Sequence, residues 1–421
     1  MSNFPIIHWH EAGADQSAQW RSANGSPPPK RIIVADDTIK ADAAYRLACE
    51  GTALLWRSDF HNAKQLLQAL ARRIDAKTQE RKEKKPPVTG HATYPLQNST
   101  NSPLLGPSLR PPLPLAGEEA NESLREPSLK VAFHQHRHTQ AQRANILGML
   151  LLPFNADHSI PLRRAPDVQQ ACMAAIGEAE QPYLTPLREL QGIIGAHEWR
   201  KKGVEIPALG ARIHPHYGVF SPIRGEYLEL VASAPLPQAL KQHSLAFDIG
   251  TGTAVLAAIL ARRGIQRIVA TDMHSAALNC ARENIQGLGY SKQVEIMQAD
   301  LYPQGRAALI LCNPPWVPAK PSSALDAAIF DPDSRMLRGF LNGLKDHLEK
   351  DGEGWLILSD LAEHLGLRSR ETLLQMIDTA GLKALGKIDT KPHHPRSADP
   401  DDPLHAARAA ETTSLWRLTT K

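Results

Sequence analysis

The chain has 421 residues and a formal net charge of +4, so it has room for about two to three domains and either half can bury a core. So small a charge leaves nucleic acid possible without announcing it. Cys49, Cys172, Cys280 and Cys312 are scattered without C-x-x-C spacing, which excludes a zinc ribbon and a disulfide framework and predicts buried thiols in a reducing compartment.

Residues 1 to 30 lack a clear period and run into Ser26-Pro27-Pro28-Pro29. They are expected to be a flexible lead. Arg31 to Ala35 reads as a strand, Ile39 to Glu50 as a helix, Thr52 to Trp56 as a strand and Ala63 to Ile74 as a helix. This pattern predicts an N-terminal α/β accessory and substrate-recognition domain over residues 31 to 204. From about Lys77 to Pro127 the composition turns to charge, proline, serine and asparagine without period. That stretch is expected to be a disordered insertion. Its charge run, Glu80 to Lys85, reads as a solvated helix end.

Phe133-His134-Gln135-His136-Arg137-His138 places a histidine at every second position. Alternating histidines can ligate metal from one face of a strand, but no Cys, Asp or Glu lies near to complete a set. A surface strand or turn is expected, with a place on an acceptor-binding face left open, and no metal. Thr139 to Leu152, Ala165 to Glu180 and Pro186 to Ile194 read as helices. The apolar run Ile146 to Phe154 is too short to span a bilayer, and no signal pattern opens the chain. A soluble cytoplasmic protein is expected.

From about Glu205 strand and helix alternate. Strands are expected at 244–249, 267–271, 294–298, 306–312 and 355–359. Helices are expected at 254–263, 275–286, 325–348 and 369–380. Leu382 to Lys387 and Thr413 to Leu418 make a final strand pair, with an antiparallel edge. Such alternation predicts a Rossmann-like, doubly wound, mostly parallel sheet of seven strands over residues 205 to 421.

Ligands in such sheets sit beyond the carboxyl ends of the strands, where strand order reverses. The informative residues fall at those ends. Asp248-Ile249-Gly250-Thr251-Gly252-Thr253-Ala254 closes the first strand, and its glycines let a ligand approach the backbone. Alone, that loop also fits a dinucleotide fold or a bare turn. Asp272 ends the second strand, where an acid can accept from a ribose diol. Asp300 follows the third, where an acid can accept from an adenine amino group. Each acid alone could be a cap or a turn residue. Asn313-Pro314-Pro315-Trp316 ends the fourth strand. The prolines stop it, because neither donates a ladder hydrogen bond. A side-chain amide, freed carbonyls and a flat ring then stand together, which suits a planar nitrogen-bearing substrate. No Gly-Lys-Ser/Thr occurs, and Ser359 lacks a Gly-x-Ser-x-Gly elbow, so NTP hydrolysis and serine-hydrolase chemistry are not expected.

The segment from Asp248 to about Ser359 resembles the core of class I S-adenosylmethionine-dependent methyltransferases. Asp248, Gly250 and Gly252 match their first motif, Asp272 the ribose-binding acid and Asp300 the adenine-side acid. Asn313-Pro314-Pro315-Trp316 matches the Asn/Asp/Ser-Pro-Pro-aromatic motif of the amino-methylating branch, which includes base methyltransferases and HemK-like glutamine methyltransferases. Gly218-Val219-Phe220-Ser221, with a helix expected from Arg224, is similar to the lead-in of the "small domain" enzymes that act on ribosomal RNA guanine. Ser323 to Phe340 is similar to the HemK-like group. Ala254 stands where a third small glycine is common, and Trp316 replaces Tyr or Phe.

The resemblance implies S-adenosyl-L-methionine as cofactor, held by Asp248, Gly250, Thr251, Gly252, Asp272, Asp300, Asn313 and Phe220. It implies Asn313, Pro314 and Trp316 as catalytic residues, with Pro315, Trp316 and Ser221 facing substrate. It implies methyl transfer to nitrogen, with an RNA base amine in ribosomal RNA placed first and a protein glutamine second. A silent methyltransferase-fold binding protein and a nicotinamide-dependent oxidoreductase are the readings from other classes, and the intact tetrapeptide speaks against both. The loop from Lys391 through Pro392, His393, His394, Pro395 and Arg396 to Asp399, Asp401 and Asp402 is expected to be mobile and solvated.

Overall fold

The computed structural model describes residues 4–83, 128–222, 225–321, 326–392, 399 and 402–421. The insertion expected beyond Glu83, Arg224, the stretch from Ser323 to Leu325, and His393, His394, Pro395, Arg396 and Asp401 lie outside the described residues.

In the N-terminal half the strands are β1 (Ile6–Glu11), β2 (Ala14–Trp20), β3 (Arg31–Ala35), β4 (Thr52–Trp56), β5 (Leu150–Phe154) and β6 (Tyr183–Pro186). They form one mixed sheet in the order β1-β2-β6-β5-β4-β3. The helices are α1 (Ala41–Cys49), α2 (Phe60–Glu83), α3 (Leu129–Leu147), α4 (Gln169–Ile176) and α5 (Leu187–Lys202). Residues of all five helices pack with Leu54, Trp56, Leu152 and Phe154 in one core. Ile7, Trp9 and Trp20 cover the opposite face against Ala53, Leu55 and Leu151.

The expected flexible lead is therefore corrected. Ile7 and Trp9 alternate inward along β1, and six residue pairs register it against β2. Burial of the two tryptophans offsets the ordering of this polar stretch. The expected insertion also begins too early, because α2 runs helically to Glu83. The helix expected over 139–152 ends at Leu147, and the apolar run after it is the fully buried strand β5. Helix and strand cannot be told apart by period in so short a run.

The histidine segment is likewise corrected. It lies inside α3, whose N-terminus is capped by the Ser128 hydroxyl. On a helix, residues two apart face nearly opposite ways, so a period of two gives no shared metal-binding face. Among the described residues no group of three or more His, Cys, Asp or Glu is arranged to hold a metal. Cys49 is exposed, against the expectation of four buried thiols, while Cys172, Cys280 and Cys312 are buried. No helix among the described residues is long and apolar enough to cross a membrane.

A short hairpin, β7 (Val204–Ile206) with β8 (Ala211–Ile213), and helix α6 (Glu226–Ser233) lead into the second sheet. Its elements in chain order are β9 (Leu245–Ile249), α7 (Val255–Arg262), β10 (Arg267–Asp272), α8 (Ser275–Gly287), β11 (Val294–Gln298), β12 (Ala307–Cys312), α9 (Arg335–His347), β13 (Leu348–Ser359), α10 (Leu361–His364), α11 (Arg370–Thr379), β14 (Leu382–Thr390), α12 (His405–Ala410) and β15 (Thr413–Thr420). The seven strands run in the order β11-β10-β9-β12-β13-β15-β14, and β15 alone is antiparallel to its neighbours. This is the doubly wound, mostly parallel sheet of the sequence expectation.

All six residues of β12 are buried, as a strand covered on both faces requires. Leu309 and Leu311 face one core with α6 and α7, while Ile310 and Cys312 face the other with α9 and α11. Strand order reverses between β9 and β12, so the crevice of the fold opens there.

Candidate active site

Register places the site. Ile249 of β9 pairs with Thr271 of β10 and with Cys312 of β12. The next residue on each strand is Gly250, Asp272 and Asn313. Gly250 and Asn313 leave the sheet there, level with Asp272, the last residue of β10, which still pairs with Gln298 of β11, at the point where strand order reverses.

The glycine loop is closed by local hydrogen bonds. Asp248 is fully buried, and its Oδ2 accepts from the Thr251 hydroxyl at 2.6 Å and from the Ala257 N–H at 3.1 Å. Its Oδ1 is buried without a hydrogen-bond partner. Burial, reinforced by the charge of Asp272, pushes the carboxyl up to about 6 in spite of those two bonds. The Thr251 N–H donates to the Thr271 carbonyl at 2.8 Å. Thr251 thus turns its hydroxyl into the protein and acts on the shape of the loop.

Gly250 has φ +71° and Gly252 φ +55°, in the left-handed region that glycine enters freely. A Cβ on Gly250 would strike the Met336 methyl, whereas one on Gly252 would meet nothing within 4 Å. Asp272 accepts from the Gly252 N–H at 3.1 Å and from the His274 N–H at 2.9 Å, one bond to each oxygen. Each oxygen keeps acceptor capacity for a diol. The open backbone at Gly252, the orphaned oxygen of Asp248 and the spare capacity of Asp272 fit S-adenosylmethionine.

Asp300 stands at the rim, and its Oδ2 is ion-paired with Arg335 at 2.6 Å. Val219 buries against Ala277 and Cys280 of α8, which sets Gly218 to Ser221 beside the helix that follows Asp272. Phe220 is partly buried there, and the Ser221 hydroxyl oxygen is buried without a partner.

The tetrapeptide carries a bond the sequence did not show. The Trp316 indole N–H donates to Asn313 Oδ1 at 2.9 Å. The indole stands edge-on to Tyr227 of α6, at 6.3 Å between centroids and 87° between planes. It also packs against each of three apolar clusters. Pro314 is buried, while Asn313, Pro315 and Trp316 are partly exposed. Behind the motif lies Arg368, 6% exposed, whose guanidinium donates to the Trp316 carbonyl at 3.3 Å. Desolvation lowers its pKa from the usual arginine range.

The chain after the motif folds back. Val317 N–H donates to the Ile329 carbonyl at 3.2 Å, and Asp331 N–H donates to the Val317 carbonyl at 2.9 Å. The Asp331 carboxylate then accepts from the Met336 and Leu337 N–H groups at 3.0 and 3.1 Å, capping α9. Register therefore brings Asp248, Gly250, Asp272 and Asn313 together, with Asp300 at the edge. Sequence reasoning missed Tyr227, Arg335, Arg368 and Asp331. None carries a local pattern, and each is defined only by what folds against it.

Residues 210–377 match a family model described as Methyltransferase small domain. A release factor glutamine methyltransferase from Cereibacter sphaeroides is 29% identical over 150 residues, covering 32% of this chain and 51% of that protein. A putative protein N5-glutamine methyltransferase from Methanocaldococcus jannaschii is 26% identical over 166 residues, covering 38% of this chain and 80% of that one. A tRNA1(Val) (adenine(37)-N6)-methyltransferase from Shewanella halifaxensis is 32% identical over 146 residues, covering 32% and 57%. The chain spans about half the length of the first and third of these relatives.

Proposed function

We propose that the chain, whose residues 210–377 match the methyltransferase small domain, is a class I S-adenosylmethionine-dependent methyltransferase that methylates a planar nitrogen, the exocyclic amine of an RNA base in ribosomal RNA. The observation that carries this reading is the common exit level of Gly250, Asp272 and Asn313. It sets a cofactor cradle and an amide clamp on adjacent strands. Bound in that cradle, S-adenosylmethionine supplies an electrophilic sulfonium methyl.

The chain's own task is to present the nitrogen. The lone pair of a base amine or carboxamide is delocalised and nucleophilically poor. Asn313 Oδ1 and the Pro314 carbonyl each accept one N–H of the acceptor, which orients the nitrogen and favours positive charge developing on it. Oδ1 already accepts from Trp316, yet a carbonyl oxygen has two lone pairs, so one stays available. No strong base is needed before transfer: as the N–C bond forms the S–C bond would break to leave the neutral thioether, and the nitrogen then releases its surplus proton to solvent. The partly exposed Trp316 ring offers a stacking edge to a base or an amide plane.

The lead-in Gly218 to Ser221 and the tRNA-adenine relatives favour RNA, and an unpaired RNA loop lowers the cost of flipping a base out. A protein glutamine is the second reading, favoured by the names of the glutamine-methylating relatives. Tritiated S-adenosylmethionine offered with total RNA and with total protein decides. Label in RNA supports the first reading, and label in protein alone replaces it with the second. Calorimetric binding of NAD without binding of S-adenosylhomocysteine would sink both.

A further inference from the structure

We propose that α3, a helix of the N-terminal half, positions the acceptor clamp: Phe133 and Arg137 hold the chain at Val317, Lys320 and Phe330, and through it the Trp316 to Asn313 hydrogen bond. The proposal rests on Asn313 being the acceptor clamp. Helix α3 touches both halves of the molecule. Its last turns pack with α2 and α5 in the N-terminal core through Ile146 and Leu147. Its first turns lie on the chain that follows the tetrapeptide.

Phe133 is 4% exposed and buries in one apolar cluster with Val317, Leu365, Leu404 and Ala407. Trp316 and Phe330 pack against that same cluster. Arg137, one helical turn further on, donates from its guanidinium to the Lys320 carbonyl at 2.7 Å. The guanidinium lies over the Phe330 ring at 4.0 Å from the centroid, and an Asp326 oxygen stands 3.8 Å away. The stretches on both sides, at Val317 to Lys320 and at Phe330, are thus gripped from one helix, and a cation over a ring face is a directional contact.

The grip passes inward in two steps. Phe330 forms a bridge with Val317, and Val317 adjoins Trp316. Trp316 is then caught between Phe133's cluster and Tyr227, with its N–H aimed at Asn313 Oδ1. A free asparagine side chain samples several rotamers. A donor fixed on three sides removes that freedom before an acceptor arrives, which is how positioning lowers a barrier. Phe133 and Arg137 touch neither acceptor nor cofactor in this account. They are positioning residues, and through Trp316 they give the N-terminal half an indirect role in methyl transfer.

The full-length protein with isotope-labelled tryptophan tests this by nuclear magnetic resonance. The Trp316 indole N–H signal is identified by its loss in Trp316→Phe. In Arg137→Ala that signal is expected to shift or broaden, while calorimetric affinity for S-adenosylhomocysteine stays at the wild-type value. Tritium transfer into the fraction that accepts it is expected to fall about tenfold or more. Arg137→Lys keeps the charge without the planar stack and recovers part of the transfer, and Phe133→Leu weakens it in the same direction. An unmoved indole signal in Arg137→Ala overturns the proposal. So does a loss of S-adenosylhomocysteine binding in step with transfer, which would place the defect in the whole fold. A wild-type protein that binds cofactor but labels neither RNA nor protein defeats the proposed function, and the indole signal still decides the clamp.

Discussion

The glycine loop after β9 closes largely within a few residues, whereas the tetrapeptide after β12 is held by chain from three distant places. At the cofactor end, Asp248 ties Thr251 and Ala257, and the outside partners are Thr271 and Asp272 at the end of the neighbouring strand and Asn284 of the helix that follows it. At the acceptor end, Trp316 needs Tyr227 from α6, Arg368 from beyond α10, and the Phe133 cluster of α3. A cradle written in consecutive residues can serve many acceptors. A clamp assembled from remote parts can be retuned by any of them.

The largest effect should separate the two ends. Asn313→Ala is expected to lower methyl transfer by about a hundredfold or more, as loss of a transition-state contact does, with S-adenosylhomocysteine affinity retained. Single-turnover labelling and calorimetry together check this. Equal activity would remove Asn313 from the clamp.

Gly250→Val addresses the cofactor end. A β-branched residue at φ +71°, pressed on Met336, should cost about 2 kcal/mol of stability in urea unfolding and weaken cofactor binding. An unaltered midpoint would mean that the loop relaxes freely.

Asp248 gives the cofactor end a pH signature. Its folded pKa of about 6 lies above the unfolded value of 3.8. Between those values the folded chain keeps a proton that the unfolded chain has lost. Stability of the protein without cofactor should therefore fall as pH rises through that window and level off above it. Asp248→Asn has no such titration, so its stability profile should be flatter there and higher at pH 7 by up to about 3 kcal/mol. Parallel profiles for the two proteins would contradict the burial account.

Trp316→Phe keeps most of the ring and deletes the donor to Asn313. Loss of one neutral hydrogen bond corresponds to about 1 kcal/mol, so transfer should drop several-fold without loss of cofactor affinity. A larger fall in both would show that the indole supports the whole crevice. The smallest effect belongs to Ala254, which sits at φ +61° at the start of α7. Ala254→Gly should stabilise the fold by up to about 1 kcal/mol, read as a raised melting temperature. Destabilisation instead would show that the alanine methyl packs usefully in the core beneath the loop.

The C-terminal alternation was legible because parallel strands buried on both faces are continuous apolar runs, broken by turn residues. β12 with its two following prolines is the clearest case. The N-terminal strands were harder. β1 carries His8 between Ile7 and Trp9, with His10 and Glu11 after them, and only its partner β2 makes that alternation count. The histidine segment shows the opposite failure. A period of two over six residues looked like a strand, but the helix around it, capped at Ser128 and anchored by Phe133, overrode that period.

By itself the sequence determined what each strand end offers. Asp248, Gly250 and Gly252 make a tight open loop mostly from glycine backbone freedom and one short-range carboxylate, and Asn313-Pro314-Pro315-Trp316 needs only proline chemistry to end a strand. Those are short-range constraints, so they are readable in one dimension. The tertiary structure decided that these ends leave the sheet at one level, that Trp316 spends its N–H on Asn313, and that α3 from the other half grips the loop beyond. Each of those outcomes depends on pairing between residues far apart in the chain, and neither partner carries a mark that names the other.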